Sequence, residues 1–322
     1  MASAEDSDTT MAPSSPETAR DSHGSLGGTD SLTFRTIHDL DEYRACVDLQ
    51  RAVWGLEFSE VVPASILRVS AELGGLVAGA FTPDGTLAGF VYGLTGPQDG
   101  RLIHWSHMLA VRRTHRSSGV GFRLKYHQRT LLAARGIREM RWTFDPVVAD
   151  NAHFNLARLG AQVVEYLPDM YGDTGSSHHT FGTDRFLVSW ELTAPSGRQA
   201  GRGVDPSAPE RRAARASASS KSAVPPEDEA GFWSQAPVLN PVQTPGHAGG
   251  APPPVEGPRL RIAIPSDVVG LSRRAPAEAR AWRNSTQRAF LDALQGGYRI
   301  VGFQRPETAD ACGFYRLRRE GA

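Results

Sequence analysis

The sequence predicts an α/β fold of the α+β kind: a central sheet flanked by helices, followed by a small C-terminal unit of strand, helix and hairpin. Two observations predict it. Apolar patterns of strand and helix period follow one another across residues 32–192 in the order β-α-α-β-β-β-α-β-α-β-β. A shorter series spans 258–320, separated from the first by a stretch poor in aliphatic residues and crowded with Ala, Ser, Pro and Gly, as in Gly249-Gly250-Ala251-Pro252-Pro253-Pro254. Such a segment buries too little apolar surface to offset chain entropy. Residues 1–31 are therefore expected to be a disordered tail, 32–192 the ordered body and 193–257 a linker.

The body opens with a strand, Leu32 to Ile37, and a helix whose positions Tyr43, Cys46, Val47, Gln50 and Trp54 keep helical spacing until Gly55 ends it. A second helix starts near Pro63, carries Ile66, Leu67, Ser70 and Leu73 on one side, and stops at Gly74-Gly75. Leu76–Phe81 and Leu87–Tyr92, joined through Pro83-Asp84-Gly85, read as an antiparallel hairpin. A third strand runs from Leu102 to about Val111. Val120, Leu124, His127, Leu131 and Ala134 then mark an amphipathic helix with Gly136 as its C-cap residue. The strand Ile137–Phe144, a short helix from Asn151 to Leu159, and strands near Gln162–Tyr166 and Arg185–Leu192 complete the body.

The C-terminal unit reads as a strand, Leu260–Ile264, and a helical region from Ser266. Its stripe is Trp282, Ala289, Phe290, Ala293 and Leu294, and Gly296-Gly297 stops it. A hairpin of Tyr298–Gln304 with Gly313–Leu317 follows. About sixty residues form a marginal core, so the unit is expected to pack on the body or on a second subunit of a homodimer.

Thirty-five basic and thirty-five acidic residues cancel. The chain therefore has no global field to draw nucleic acid or an anionic membrane, and any anion site must be local. Cys46 and Cys312 fall in different ordered segments, which points to a reducing, cytoplasmic compartment. The acidic start, Met1 to Asp8, does not read as a signal peptide. No apolar run approaches the roughly 20 residues of a membrane helix.

The informative stretch is Leu109-Ala110-Val111-Arg112-Arg113-Thr114-His115-Arg116-Ser117-Ser118-Gly119-Val120-Gly121, a strand leading through a basic turn into a helix. A helix start offers unpaired N–H groups and partial positive charge to a phosphate. Gly119 and Gly121 let backbone and ligand approach closely, while Arg112, Arg113 and Arg116 add countercharge. An ordinary turn with a solvated basic face is an equal reading of these residues alone. A nucleic-acid patch is a weaker one, because the extended basic footprint with interleaved aromatics is missing.

Arg116-Ser117-Ser118-Gly119-Val120-Gly121 resembles the R-x-x-G-x-G pyrophosphate signature of GNAT acyltransferases, and Asn151-Ala152-His153-Phe154-Asn155-Leu156-Ala157-Arg158-Leu159-Gly160 resembles their Asn-initiated helix ending in Leu-Gly. The match covers about half the chain. With Ser106-His107-Met108-Leu109, Trp142-Thr143-Phe144-Asp145-Pro146 and a C-terminal stretch from Trp282 to Phe303, the chain looks closest to a bacterial subgroup of predicted GNAT proteins with a C-terminal extension. The resemblance implies a mixed sheet that splays after the strand ending near Val111. An acyl-CoA, acetyl-CoA or another such as succinyl-CoA, would lie in the gap. Its pyrophosphate would rest on Arg116, Ser117, Ser118, Gly119, Val120 and Gly121, with Asn151 facing the cofactor and Leu109, Ala110 and Val111 pairing with the pantetheine. The acyl group would pass to the amine of a small molecule such as an amino acid, with no metal required.

Such a transfer needs a base for the ammonium and an acid for the departing thiolate. The Tyr that many members use as the acid is replaced by Leu156, which leaves a catalytically silent CoA-binding module as the alternative. Three residues are candidates for the chemistry. Tyr171 is a replacement acid or a packed strand-end ring. His107 is a base of near-neutral pKa or a structural His. Asp145 is a base or ammonium ligand, or simply orders the turn before Pro146. His178 and His179 with Asp169 and Asp173 lack fixed metal-ligand spacing, so no metal site is assigned.

Overall fold

The computed structural model describes residues 31–56, 58–172, 182–192, 233–240, 254–308 and 311–321. The expected tail, apart from Ser31, most of the expected linker, and Asp173, His178 and His179 lie outside these.

The body is a seven-stranded mixed sheet with the spatial order β1-β2-β3-β4-β5-β7-β6. Its strands are β1 (Thr33–Thr36), β2 (Leu76–Phe81), β3 (Leu87–Gln98), β4 (Arg101–Val111), β5 (Glu139–Phe144), β6 (Gln162–Leu167) and β7 (Arg185–Glu191). Only the β4–β5 pair is parallel. The helices α1 (Leu40–Trp54) and α2 (Ala64–Glu72) pack their apolar sides against β2, β3 and β4. Asp39 caps α1 through its side chain, and Gly55 closes it. The long helix α3 (Val120–Ala134) lies on the opposite face, where Val120 and Leu124 meet Ala78, Ala88 and Val91.

Three details depart from the pattern read in the sequence. The apolar stripe expected on α2 is split: Leu67 and Ser70 are buried, whereas Ile66 and Leu73 are exposed. On α3 the buried positions are Val120, Leu124, Lys125, Gln128 and Leu132, so that Lys125, Gln128 and Leu132 stand in place of the expected His127, Leu131 and Ala134. The short helix α4 (Ala149–Ala152) begins two residues before Asn151 and passes into a π-helical stretch, His153–Arg158. Asn151 is therefore not its cap: the N-cap position is Val148, which has no side chain able to accept from the orphan amides.

The C-terminal unit consists of β8 (Arg259–Pro265), α5 (Val268–Arg274), α6 (Pro276–Gln295), β9 (Tyr298–Gln304) and β10 (Cys312–Arg319), with sheet order β8-β10-β9. It packs on the body of its own chain. Phe290 of α6 and Tyr315 of β10 meet Phe186 of β7 edge to face at 4.7 and 5.5 Å, and these rings belong to one apolar cluster shared by body and unit. The expectation of an unstructured linker is corrected at 233–240. Trp233 and Leu239 are buried there, and Asn240 exchanges two hydrogen bonds with the backbone of Ala263, at 2.8 and 2.9 Å. Eight residues with three anchoring side chains were masked by the Ala/Pro-rich composition around them.

Candidate active site in the fork of the sheet

The parallel pairing of β4 with β5 covers only Ile103↔Glu139, His104↔Met140 and Trp105↔Arg141. Beyond that point each strand keeps its outer neighbour, β4 pairing with β3 as far as Val111 and β5 with β7 as far as Phe144. Ser106–Val111 and Trp142–Phe144 thus face one another across a fork without pairing, which leaves backbone groups of β4 directed into the gap. Buried backbone groups of this kind need a partner. Just past the fork, Tyr92 pairs with Met108 and Gly93 with Ser106, so His107 is an extra residue in a β-bulge.

The basic turn stands at the open end of this fork. After a short 3-10 turn at Arg113–His115, Ser117 and Gly119 adopt positive φ, +62° and +83°, and α3 starts at Val120. Its first backbone bond runs from Arg123 N to Gly119 O. The amides of Gly119, Val120, Gly121 and Phe122 therefore have no intrahelical acceptor. No side chain caps them, and no acid occupies the first turn. A Cβ placed on Gly121 would meet Leu109 Cδ2 and Val111 Cγ2 at an ordinary 3.7 Å. The fold itself thus has room for a methyl there, in ordinary contact with Leu109, Val111 and Phe154. Arg113 and Arg116 are exposed beside it, whereas Arg112 donates from Nε to Leu87 O at 3.2 Å and anchors the turn.

Beneath the fork, between β4 and α3, lies a string of buried polar groups that sequence reasoning missed. Thr95 Oγ1 meets His104 Nδ1 at 2.9 Å, and Gln128 Nε2 meets His104 Nε2 at 3.0 Å. Ser106 Oγ donates to Gln128 Oε1 at 2.9 Å and accepts from Lys125 Nζ at 2.8 Å. The Lys125 ammonium also stands 3.9 Å over the Trp142 ring. Trp142 Nε1 in turn donates to Asn155 Oδ1 at 2.8 Å, and Asn155 Nδ2 donates to Asn151 O. Burial, with the charges of Lys125 and Arg135 adding, lowers the His104 pKa to about 3. Burial alone lowers Lys125 to about 7. A signal existed in the sequence: Ser106 on an apolar strand, and Lys125 and Gln128 at i, i+3 among the apolar residues of α3.

Asn151 itself is exposed, and only its backbone carbonyl joins this string. The side chains of Leu109 and Val111 turn toward α3 and that of Ala110 toward α1, so their contribution to the gap is backbone. The candidate catalytic residues stand on different elements around the fork, and Arg185 lies between two of them, 3.9 Å from Asp145 Oδ2 and over the Tyr171 ring. His107 is exposed at the bulge with its ring edge-on to Tyr92 at 5.8 Å, and desolvation lowers its pKa more than Glu60 raises it. Tyr171 is 38% exposed, its hydroxyl 3.3 Å from Thr143 Oγ1 on the strand opposite, beneath the Arg185 guanidinium. Asp145, read as a base or ammonium ligand or as ordering the turn before Pro146, is engaged on both oxygens. Both oxygens accept from the buried Arg283 of α6, at 2.8 and 2.7 Å, and Oδ1 also accepts from Val147 N. A carboxylate held in this way joins the C-terminal unit to the end of β5 and is not free to take a proton from an amine.

Fold and site together give a forked mixed sheet with an uncapped, basic helix start at its open end. No family model matches the chain, and no curated protein matches it. Among solved structures it is similar to the ribosomal-protein-S18-alanine N-acetyltransferase from Escherichia coli, with 14% identity, 51% of this chain and 96% of that one covered, and a TM-score of 0.41. It is likewise similar to an acetyltransferase of the GNAT family from Streptococcus pneumoniae, with 15% identity, 50% and 99% covered and a TM-score of 0.41. An aminoglycoside 6'-acetyltransferase type Ii matches at 20% identity, 50% and 97% covered, TM-score 0.39. Among the described residues there is no cluster of potential metal ligands and no helix long and apolar enough to cross a membrane.

Proposed function

We propose that this protein is an acyl-CoA-dependent N-acyltransferase that passes an acetyl or succinyl group to the amine of a small molecule such as an amino acid, by direct attack in a ternary complex. The observation that carries the reading is the conjunction of fork and helix start: β4 from Ser106 to Val111, paired with β3 but not with β5, leads straight to four uncapped amides at the start of α3. A pyrophosphate on those amides places a pantetheine arm along β4. Its amides then pair with the backbone of Leu109, Ala110 and Val111, and the thioester arrives near the bulge at His107.

In this arrangement the amine attacks the thioester carbonyl from the side of α1 and α2. His107, exposed at the bulge with a lowered pKa, takes the proton from the ammonium directly or through water. Tyr171, on the same side as Thr143, protonates the leaving thiolate in place of the Tyr that Leu156 replaces. Asp145 contributes by positioning the end of β5. No step calls on a metal.

The test is an assay of CoA thiol release from acetyl-CoA and succinyl-CoA over a panel of amino acids and other small amines. Turnover with at least one pair, reduced by His107→Gln, supports the reading. Tight CoA binding with no turnover on any amine would instead identify the catalytically silent CoA-binding module that Leu156 favours.

A further inference from the structure

The turn that carries Tyr171 is held from behind. Three consecutive amides of it donate to two residues just before β7: Asp169 N to Asp184 Oδ1 at 3.0 Å, Met170 N to Thr183 O at 3.2 Å and Tyr171 N to Thr183 Oγ1 at 3.2 Å. Gly172 N closes the turn on Asp169 O at 2.8 Å. Thr183 and Asp184 are each only 1% exposed, so the turn rests on the interior. The Asp184 carboxylate accepts two further bonds, from Tyr166 OH to Oδ2 at 2.7 Å and from Gln287 Nε2 to Oδ1 at 3.1 Å. A carboxylate withdrawn from water needs such donors. Two of its three donors belong to the body. The third, Gln287, comes from α6 of the C-terminal unit.

Gln287 and Arg283 are four residues apart and share one face of α6. Arg283 holds both oxygens of Asp145, two residues beyond Thr143. Gln287 holds Asp184, which holds the Tyr171 turn. The two sides of the contact between Tyr171 OH and Thr143 Oγ1, 3.3 Å apart, are therefore referred to a single helix. That helix is fixed in turn by Phe290, packed on Phe186 at 4.7 Å. Arg185 spans the same two sides, donating from Nη1 to Asp184 O at 2.8 Å while its guanidinium lies 5.3 Å over the Tyr171 ring. A proton donor acts only within hydrogen-bond reach of its acceptor, and a misplacement of about 1 Å costs on the order of 100-fold in rate.

We propose, resting on the acyltransferase reading with Tyr171 as its acid, that Gln287 is a positioning residue: through Asp184 it fixes the turn Asp169–Gly172, so that the Tyr171 hydroxyl stands where the thiolate leaves. The C-terminal unit then completes the active site of its own chain, and it serves the transfer step. None of these bonds reaches the start of α3, so CoA binding is independent of them.

Steady-state kinetics of Gln287→Met, which keeps the side-chain length and removes the donor, test this beside Tyr171→Phe and the double variant. Gln287→Met is expected to lower kcat about tenfold or more, with the KM of the acyl-CoA and the calorimetric Kd of free CoA within about twofold of wild type. In a Tyr171→Phe background it should lower kcat no further. This separates positioning from general destabilisation, which would lower kcat with and without the hydroxyl. An unchanged kcat, or an equal fold-loss in both backgrounds, overturns the inference and leaves the acyltransferase reading standing. A Tyr171→Phe protein with the kcat of wild type overturns the inference together with the assignment of Tyr171 as acid. No turnover by wild type on any pair of acyl-CoA and amine overturns the whole reading. Gln287→Asn, which draws the amide back by one methylene and keeps its polarity, carries the same expectation should the Met variant not fold.

Discussion

Replacing Asp145 by Asn leaves the Arg283 guanidinium in place but removes the nearer of its two counter-charges, Asp184 being the other. The Arg283 side chain is 8% exposed and that of Asp145 21%, so the pair is largely desolvated. Removing one partner of a buried pair costs about 3–5 kcal/mol. The partial exposure of Asp145 places this one at the low end, about 3 kcal/mol. For a folded body of this size, where 1 kcal/mol shifts the midpoint by roughly 2–4 °C, the variant should melt about 6–12 °C below wild type. Arg283→Met should cost less, because Asp145 keeps Arg185 at 3.9 Å and the Val147 amide. The Asp145→Asn/Arg283→Met double variant should be less destabilised than the sum of the singles, with a coupling energy of at least about 1.5 kcal/mol in denaturant titrations. The pair joins α6 to the end of β5, so the singles should also raise the proteolytic sensitivity of the C-terminal unit. An Asp145→Asn protein within 1 kcal/mol of wild type in stability but inactive would refute this reasoning and return the carboxylate to substrate binding or catalysis.

Tyr171→Phe should lower kcat by a factor of about 10²–10⁴ with little change in KM if its hydroxyl protonates the thiolate; a less than twofold effect in steady-state kinetics would leave it a packing residue. His104, with its pKa lowered by burial, stays neutral in the fold while the unfolded chain takes up a proton below about pH 6.5. Its contribution is thus full above pH 6.5 and lost at about 1.4 kcal/mol per unit between pH 6.5 and 3; urea titrations should show that slope, and His104→Gln should flatten it. Gly119→Ala forces a side chain into the left-handed region at φ +83°, and a loss of about 1–2 kcal/mol is expected in the same titrations; no loss would mean that the turn relaxes.

The elements were legible wherever one period dominated. Gly55 ends α1, Pro63 precedes α2, and Gly296-Gly297 stop α6, all close to where the sequence places them. The turn into α3 was legible because a glycine turn entering a helix has a local signature. What escaped depends on pairs distant in the chain. The extension of β3 to Gln98 is held by its register with β4 rather than by its own apolar pattern, which ends in Thr95-Gly96-Pro97. The Asp145–Arg283 pair joins residues in different units, and no spacing announces it. Lys125 was hidden by its type: a lysine on a helix is usually solvated, and only the fork beneath Ser106 and Trp142 shows that this one is enclosed.

Thermal unfolding with and without free CoA, for wild type and Gly121→Val, tests most directly whether fork and helix start hold the cofactor. CoA at about a hundred times its dissociation constant should add roughly 2.7 kcal/mol to the wild-type protein. The variant, whose larger side chain crowds Leu109, Val111 and Phe154 where α3 begins, should show no such gain. A wild-type midpoint unmoved by CoA, or an equal gain in both proteins, would contradict the account.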